Sequence, residues 1–496
     1  MRSTGTYDSL RPMLYLLAGS GYAIRRFSAV ILSVCIAYSC GGRAGSSRYS
    51  APAGAHTYRD PDALPRLVVA AVYDQVSSDA LLKYLPLLDP RGAVKTAIRE
   101  GLFFERGVFP YAATYTAPGH ATLHTGAAPC EHGVTANKVI DVRTGTARQA
   151  IDDGVHTVFG REGVHAGPAL LRLDTVADAL KAATGSTGKV VSLSHKDRAA
   201  IVSGGKRPDL VLWYDEQLPG FTTSRYYADR LPGWLERWQA AHPILQACTR
   251  WEPRNAERLQ ALLGADDAPG EGDYRGFGTT FPHHTSQSSD PASVFRLTPQ
   301  AAEHMLELAR EAIERLQLGA DGTPDLLAVS ISGTDYAGHV FGPDSWEYAD
   351  HLIRADLALG RFLRELSEGT RVAWLLTSDH GVAPLPEKLG SERVLPDELL
   401  RAVDARLDAE LGPGDWVFGY SAPFIYLSQT ARSYPQSDRV LTLARQALNG
   451  LESVAGAFAV ACALALNHDS VWLPFGAFNG FQPEFLVPSL IVSEGG

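Results

Sequence analysis

At 496 residues, with 45% hydrophobic and 20% charged residues, the chain is too long for one ordinary domain and has the balance of a globular protein. Collagen-like, coiled-coil and polytopic membrane chains are excluded by that composition. Its 45 Lys and Arg against 55 Asp and Glu give a net charge of −10, which argues for an acidic enzyme and against nucleic acid as a partner.

The first sixty residues read as a delivery signal. Arg25 and Arg26 precede the uncharged run FSAVILSVCIAYSCGG (27–42). The run is shorter than the roughly 20 apolar residues of a membrane-spanning helix and suits a signal-peptide core. It closes on Ser39-Cys40-Gly41-Gly42 and resembles a bacterial lipoprotein signal with Cys40 lipidated, although Ala37 stands where such signals usually carry Leu. Plain secretion is the alternative. The paired arginines before Phe27 point to the folded-protein export route, and Met13 is an alternative start. The expectation is a signal over 1–40, a flexible linker over 41–65 and a folded domain over 66–496, in a bacterial protein that is periplasmic or anchored to the membrane by lipid at Cys40. Cys130, Cys248 and Cys462 are buried free thiols or include one pair, and their spacing leaves both open.

From Leu67 onward, short apolar runs alternate with helical patterns. LVVAAVY (67–73), KVVSLS (189–194), DLLAVSIS (325–332) and VAWLLTS (372–378) are continuous apolar runs, the mark of strands buried on both faces of a largely parallel sheet. Met305, Leu308, Ala309, Ala312, Ile313 and Leu316 recur at helical spacing, with Gly319 placed to end that helix. A second helix is expected over 345–366. The alternation predicts an α/β sandwich with a central, largely parallel sheet flanked by helices. Residues from about 216 to 295 break the rhythm with Trp234, Trp238, Trp251, several prolines and HHTSQSSD, and read as an inserted cap.

Acids and histidines gather where these strands end, the place where open α/β sheets carry their sites. Asp74 follows the first strand, and Asp379 and His380 follow the last. Asp335 and His339, four residues apart, lie just past the strand at 325–332. Carboxylate and imidazole form the ligand set of zinc or a similar divalent ion. Five such residues exceed one tetrahedral site and suggest two neighbouring metals. Thr116, in TYTAPGHATLHTG, is the candidate nucleophile: Pro118 is positioned to open a helix whose N–H groups would face an anion. Coordination to a divalent cation would make its hydroxyl reactive.

In order, VYDQ, TYTAPGHATLHTGAAPCEHGVTANK, SLSHKDRAAIVSGG, LWYD, SISGTDYAGHVFGP and LLTSDHG resemble the alkaline phosphatase superfamily. The nearest pattern is its phosphate-irrepressible branch, related to type I phosphodiesterases and nucleotide pyrophosphatases. The resemblance implies an alkaline-phosphatase-like catalytic domain that hydrolyses phosphate monoesters of small molecules through phosphorylated Thr116. It implies one Zn2+ held by Asp74, Asp379 and His380 against Thr116, and a second held by Asp335 and His339 for the leaving group. Asn137, Lys196 and Arg198 would bind the non-bridging phosphoryl oxygens, and the Lys/Arg pair favours monoesters.

Family members close the second zinc site with a histidine in a downstream segment like GTxHGxPYxYD, whereas this chain ends at IVSEGG. His468 reads as a loop residue outside that pattern, and the run SVAGAFAVACALALN (453–467) is unusually apolar for its place. The expectation is a chain truncated at its C-terminus, with a firm first zinc site and an incomplete second. Two alternatives stand beside the phosphatase reading: a phosphodiesterase or nucleotide pyrophosphatase, and a catalytically impaired metal-binding remnant. A sulfatase is disfavoured, because TYTAPGH offers Thr in place of a convertible Cys or Ser and no nearby Arg.

Overall fold

The computed structural model describes residues 64–104, 107–111, 114–141, 146–247, 250–390, 393–421, 424–452, 454, 457–459, 470–472 and 491–494. The expected signal with Cys40, together with Cys248, Cys462 and His468, lies outside them. Cys130 is described and is exposed, which departs from the buried-thiol reading.

Eight strands make the main sheet: β1 (Leu67–Tyr73), β2 (Leu102–Phe103), β3 (Val190–Ser194), β4 (Leu210–Asp215), β5 (Gly220–Thr222), β6 (Asp325–Ile331), β7 (Val372–Ser378) and β8 (Ile491–Glu494). Their spatial order is β2-β8-β7-β1-β6-β3-β4-β5. The inner five, β7-β1-β6-β3-β4, are parallel, and the flanking pairings of β5 and β8 are antiparallel. The four apolar runs thus form the sheet centre, where side chains are covered on both faces and alternation is lost.

Leu67, Val69, Ala71 and Tyr73 face one helix layer, which includes α5 (Pro299–Leu316) and α7 (Trp346–Gly369). Ala70 faces the helix Val176–Ala183 on the other side. This layering is the predicted α/β sandwich. α5 ends earlier than expected: Gln317, at φ 56°, takes the left-handed position after Leu316. The Leu318 N–H then bonds the Ile313 carbonyl, which satisfies the last turn before Gly319 is reached. Gly319 is left-handed too, and its N–H donates to Asp325 Oδ2 at 2.7 Å.

Residues 216–295 begin by adding β5 to the sheet and continue in short helices. Trp238, Trp251 and Phe277 from this stretch are buried in the same core as α5 and α7. A smaller four-stranded sheet, with helices Pro396–Leu411 and Ser437–Asn449, has a core of its own around Val403, Leu407, Ile425 and Val440.

Register decides what happens at the strand ends. Tyr73 lies opposite both Ile331 and Ser378, and Ser194 lies opposite Ser330. The residues that follow β1, β3, β6 and β7 therefore leave the sheet along one edge.

Below that edge, Asp356 of α7 is fully buried; its Oδ1 accepts from Tyr73 O–H at 3.1 Å and from Val94 N–H at 2.8 Å, while Oδ2 has no partner. Burial outweighs these bonds and pushes the carboxyl from the usual 3.8 up to about 7. The folded state therefore keeps a proton that the unfolded chain releases. The protonated carboxyl's contribution to stability is complete below about pH 4 and is lost as pH rises through about 7. Asp356→Asn should remove this loss. In denaturant unfolding, the stability gap in favour of the variant should widen with pH across that window by up to ~1.4 kcal/mol per pH unit. Parallel pH profiles for the two proteins would show that Asp356 is ionised in the fold.

Candidate metal and nucleophile site

Asp74 stands one residue past β1, and Asp379 and His380 directly past β7. Asp335 and His339 lie on α6 (Gly333–Phe341), which opens just after β6. Lys196 is the N-cap of α4 (Asp197–Gly204), two residues past β3. Thr116 opens α3 (Thr116–Thr125), with Tyr115 as its N-cap. α3 is pressed against the β7 end: a Cβ on Gly119 would lie 2.1 Å from the Asp379 carbonyl oxygen, so only glycine permits this approach.

Asp74, Asp335, Asp379 and His380 are all buried, and their side chains converge. His380 Nε2 lies 3.3 Å from Asp74 Oδ1, 3.7 Å from Asp335 Oδ1, 3.7 Å from Asp379 Oδ2 and 3.4 Å from Thr116 Oγ1. Ligand atoms of Asp74, Asp335 and His380 fall within 4.8 Å of one another, the spacing of a metal-binding group. The arrangement is one cluster in which Asp335 sits beside the first site, whereas the sequence reading divided the ligands into two sets. His339 is exposed at the rim, its Nε2 3.3 Å from Asp335 Oδ1.

Three adjacent buried carboxylates repel one another and require cations. Lys196 Nζ lies 2.7 Å from Asp74 Oδ2, bonds Asp335 Oδ2 and donates to Thr116 Oγ1 at 3.1 Å. Burial, then the Asp335 and Asp379 charges, raises the Asp74 carboxyl. Burial opposes ionisation of Asp335 as well, but Lys196 and His339 hold it well below the usual carboxylate range. Asp379 is held down to about 2 against its burial by His380 and His120. His380, despite burial, is raised to about 9 by Asp379 and Asp74.

The donor set fits a divalent cation. Both Asp74 carboxylate oxygens and Asp379 Oδ2 are buried and face only Lys196, His380 and His120, an all-carboxylate and imidazole lining that suits such oxygens to serve as ligands.

The phosphate-binding candidates lie around Thr116. Asn137 Oδ1 accepts from the Ala117 N–H at 2.8 Å, so it leaves its amide N–H groups to donate elsewhere. That bond engages the Ala117 N–H, and Pro118 has no N–H, so two of the first N–H positions of the helix are not available to an anion. Arg198 Nε is buried without a partner, and its Nη1 lies 3.7 Å from Asp197. A cavity of about 330 Å3 lined by His242, Gln246, Gln300, Glu303 and His304 involves none of these residues.

Two site residues escaped the sequence reading. His120, in the same motif as Thr116, is fully buried; its Nδ1 lies 2.9 Å from the Thr116 carbonyl oxygen and 3.1 Å from Asp379 Oδ2, and its Nε2 lies 2.9 Å from Ser330 Oγ. Two acceptors at Nδ1 place the proton there. The i to i+4 spacing from Thr116 was the available signal. The other is Gln75, adjacent to Asp74 in VYDQ, whose backbone N–H donates to Asp379 Oδ1 at 3.1 Å.

Residues 72–441 match the family model described as type I phosphodiesterase/nucleotide pyrophosphatase. The chain is 34% identical to alkaline phosphatase PhoV of Synechococcus elongatus over 357 residues, 70% of this chain and 64% of that protein. It is 33% identical to alkaline phosphatase PafA of Elizabethkingia meningoseptica over 344 residues, 64% of this chain and 60% of that protein. The chain thus spans less than two thirds of the length of both curated relatives. The fold is similar to the crystal structure of wild-type PafA, with a TM-score of 0.78 at 24% identity, covering 87% of this chain and 91% of that one. On the residues matched, the chain belongs to the type I phosphodiesterase/nucleotide pyrophosphatase family, within the alkaline phosphatase superfamily.

Proposed function

We propose that this chain is a zinc-dependent phosphatase that hydrolyses small phosphate monoesters through a phosphothreonine at Thr116. The observation that carries the reading is the placement of the Thr116 hydroxyl. It is buried, 3.1 Å from Lys196 Nζ and 3.4 Å from His380 Nε2, beside the cluster of three buried carboxylates. Asp74, Asp379 and His380 would hold the cation nearest Thr116, and Asp335 with His339 a second. A divalent cation there lowers the pKa of a nearby hydroxyl and stabilises charge on phosphoryl and leaving-group oxygens.

The chain's own groups do the positioning. Lys196 Nζ stabilises the Thr116 oxygen as its proton passes to solvent and it forms a bond to phosphorus. The ester oxygen departs with its electron pair and takes a proton from solvent to leave as the alcohol. Water then adds its oxygen to phosphorus and returns a proton to Thr116 Oγ1, which releases inorganic phosphate and restores the hydroxyl. Asn137, Lys196 and Arg198 supply donors for the non-bridging oxygens. The matched family favours a second reading, phosphodiester or nucleotide pyrophosphate hydrolysis; the Lys196 and Arg198 charges favour the dianionic monoester. Export, with lipid on Cys40, belongs to the same proposal.

Thr116→Ala should lower aryl phosphate turnover by at least about 10³-fold, because it removes the hydroxyl that lies against Lys196 and His380. It should still bind zinc through the remaining ligands. Turnover unaffected by the substitution would reject the phosphothreonine route. Between an aryl monoester and the matching methyl aryl diester, the monoester should have the higher kcat/KM. The reverse order would move the chain to the diesterase reading.

A further inference from the structure

Arg296 is the C-cap of the short helix Pro291–Phe295 and closes the inserted stretch that begins near residue 216. The insert itself fixes its guanidinium. Nε donates to the Ser293 carbonyl at 3.2 Å, and Nη2 donates to Ser293 Oγ at 2.8 Å and to Glu216. Ser293 Oγ donates in turn to Glu216 Oε2 at 3.0 Å, so the Arg296 charge is matched within the insert. An arginine that served only to tie the insert together would be complete at this point. Instead Nη1 reaches across to α6 and donates to the Tyr336 hydroxyl at 3.3 Å, with the guanidinium carbon 4.4 Å from the centre of the Tyr336 ring.

Tyr336 carries the contact on to the phosphate-binding candidates. Its hydroxyl lies 3.5 Å from the His195 carbonyl oxygen, one residue before Lys196. Lys196 Nζ lies 5.3 Å from the ring centre, inside the roughly 6 Å over which a cation is drawn to an aromatic face. Tyr336 therefore braces the start of α4 twice, at its backbone and at the ammonium group. That start carries both cations. Lys196 has to keep Nζ among Asp74, Asp335 and Thr116, while Arg198 Nε is buried without a partner. Long cationic side chains lose rotamer freedom when they grip a ligand, so a prearranged pair binds a phosphoryl group at lower cost.

We propose that Arg296 is a positioning residue for phosphate binding: through Tyr336 it holds Lys196, and the α4 start that carries Arg198, where the transferring phosphoryl group needs them. The proposal rests on the phosphatase reading of the site. It adds that the insert, through the residue that closes it, tunes the grip on phosphate.

The test is a double-mutant cycle on the full, zinc-loaded chain, read by aryl phosphate kinetics and by the affinity for vanadate, which takes the five-coordinate shape of a transferring phosphoryl group. Arg296→Met should lower kcat by about 10-fold and weaken vanadate to a similar degree. It should change KM by less than about 3-fold and leave zinc content and the unfolding midpoint as in the parent. Arg296→Lys, which keeps a cation beside the ring, should recover most of the loss. Tyr336→Leu should be at least as impaired as Arg296→Met, and adding Arg296→Met to it should cost nothing further. If Tyr336→Leu does not fold, Tyr336→Phe replaces it, and Arg296→Met should then cost less in the Phe background than in the parent.

The proposal is overturned if Arg296→Met keeps the parent's kcat and vanadate affinity, or if its loss simply adds to that of the Tyr336 variant. It is also overturned if Glu216→Gln restores the Arg296→Met variant, since a stray Glu216 charge would then be the cause. A parent that binds vanadate but turns over no phosphate ester would overturn the functional reading, and vanadate affinity would still decide the role of Arg296. A parent that does neither would overturn both.

Discussion

Asp74, Asp335 and Asp379 are buried side by side, and the rest of the site is arranged around the cost of that arrangement. Three carboxylates withdrawn from water repel one another and lose hydration, a penalty that only nearby cations offset. The chain supplies Lys196 between Asp74 and Asp335, and His380 within 3.7 Å of all three. Three carboxylates nevertheless outnumber the single lysine among them. Acids under such mutual strain are kept where a metal or a phosphoryl group makes use of them.

The fold makes this concentration possible by register. β1, β6 and β7 run parallel with Tyr73, Ile331 and Ser378 level, and β3 joins with Ser194 opposite Ser330. Each strand then releases its polar residue at the same height, and α3 is drawn onto the Asp379 backbone at Gly119, which brings Thr116 to the cluster. Lateral bonds fix the released residues: Gln75 to Asp379 and Asp335, His120 between Thr116 and Ser330. Side chains anchored to a buried sheet edge are more rigid than groups on free loops, which suits a centre that must hold its geometry before substrate arrives.

Much of this was legible in the residue order. The buried strands were readable because a strand covered on both faces has no alternation, and their ends differ from expectation by one residue at most. Asp74, Thr116, Asp335, Asp379 and His380 could be singled out because strand ends and motif strings are local features. What could not be read were contacts closed by tertiary packing. Gln75 acquires its contacts from groups some 260 and 304 positions away, and Asp356 its raised carboxyl from burial in packing that also sets it against Tyr73, 283 positions away. Lys196 was read as a phosphate ligand, but its position among the carboxylates depends on where β3 lies in the sheet. Gly319 looked like a helix stop until Gln317, a residue with no marked preference for the left-handed region, took that place.

Diffraction at the zinc absorption edge, on crystals grown with the metal, addresses the central claim directly. The account predicts an anomalous peak within bonding distance of Asp74, Asp379, His380 and the Thr116 hydroxyl oxygen. Zinc-loaded crystals with no peak in this cluster, or with peaks only at sites such as the cavity beside His242 and His304, would contradict it.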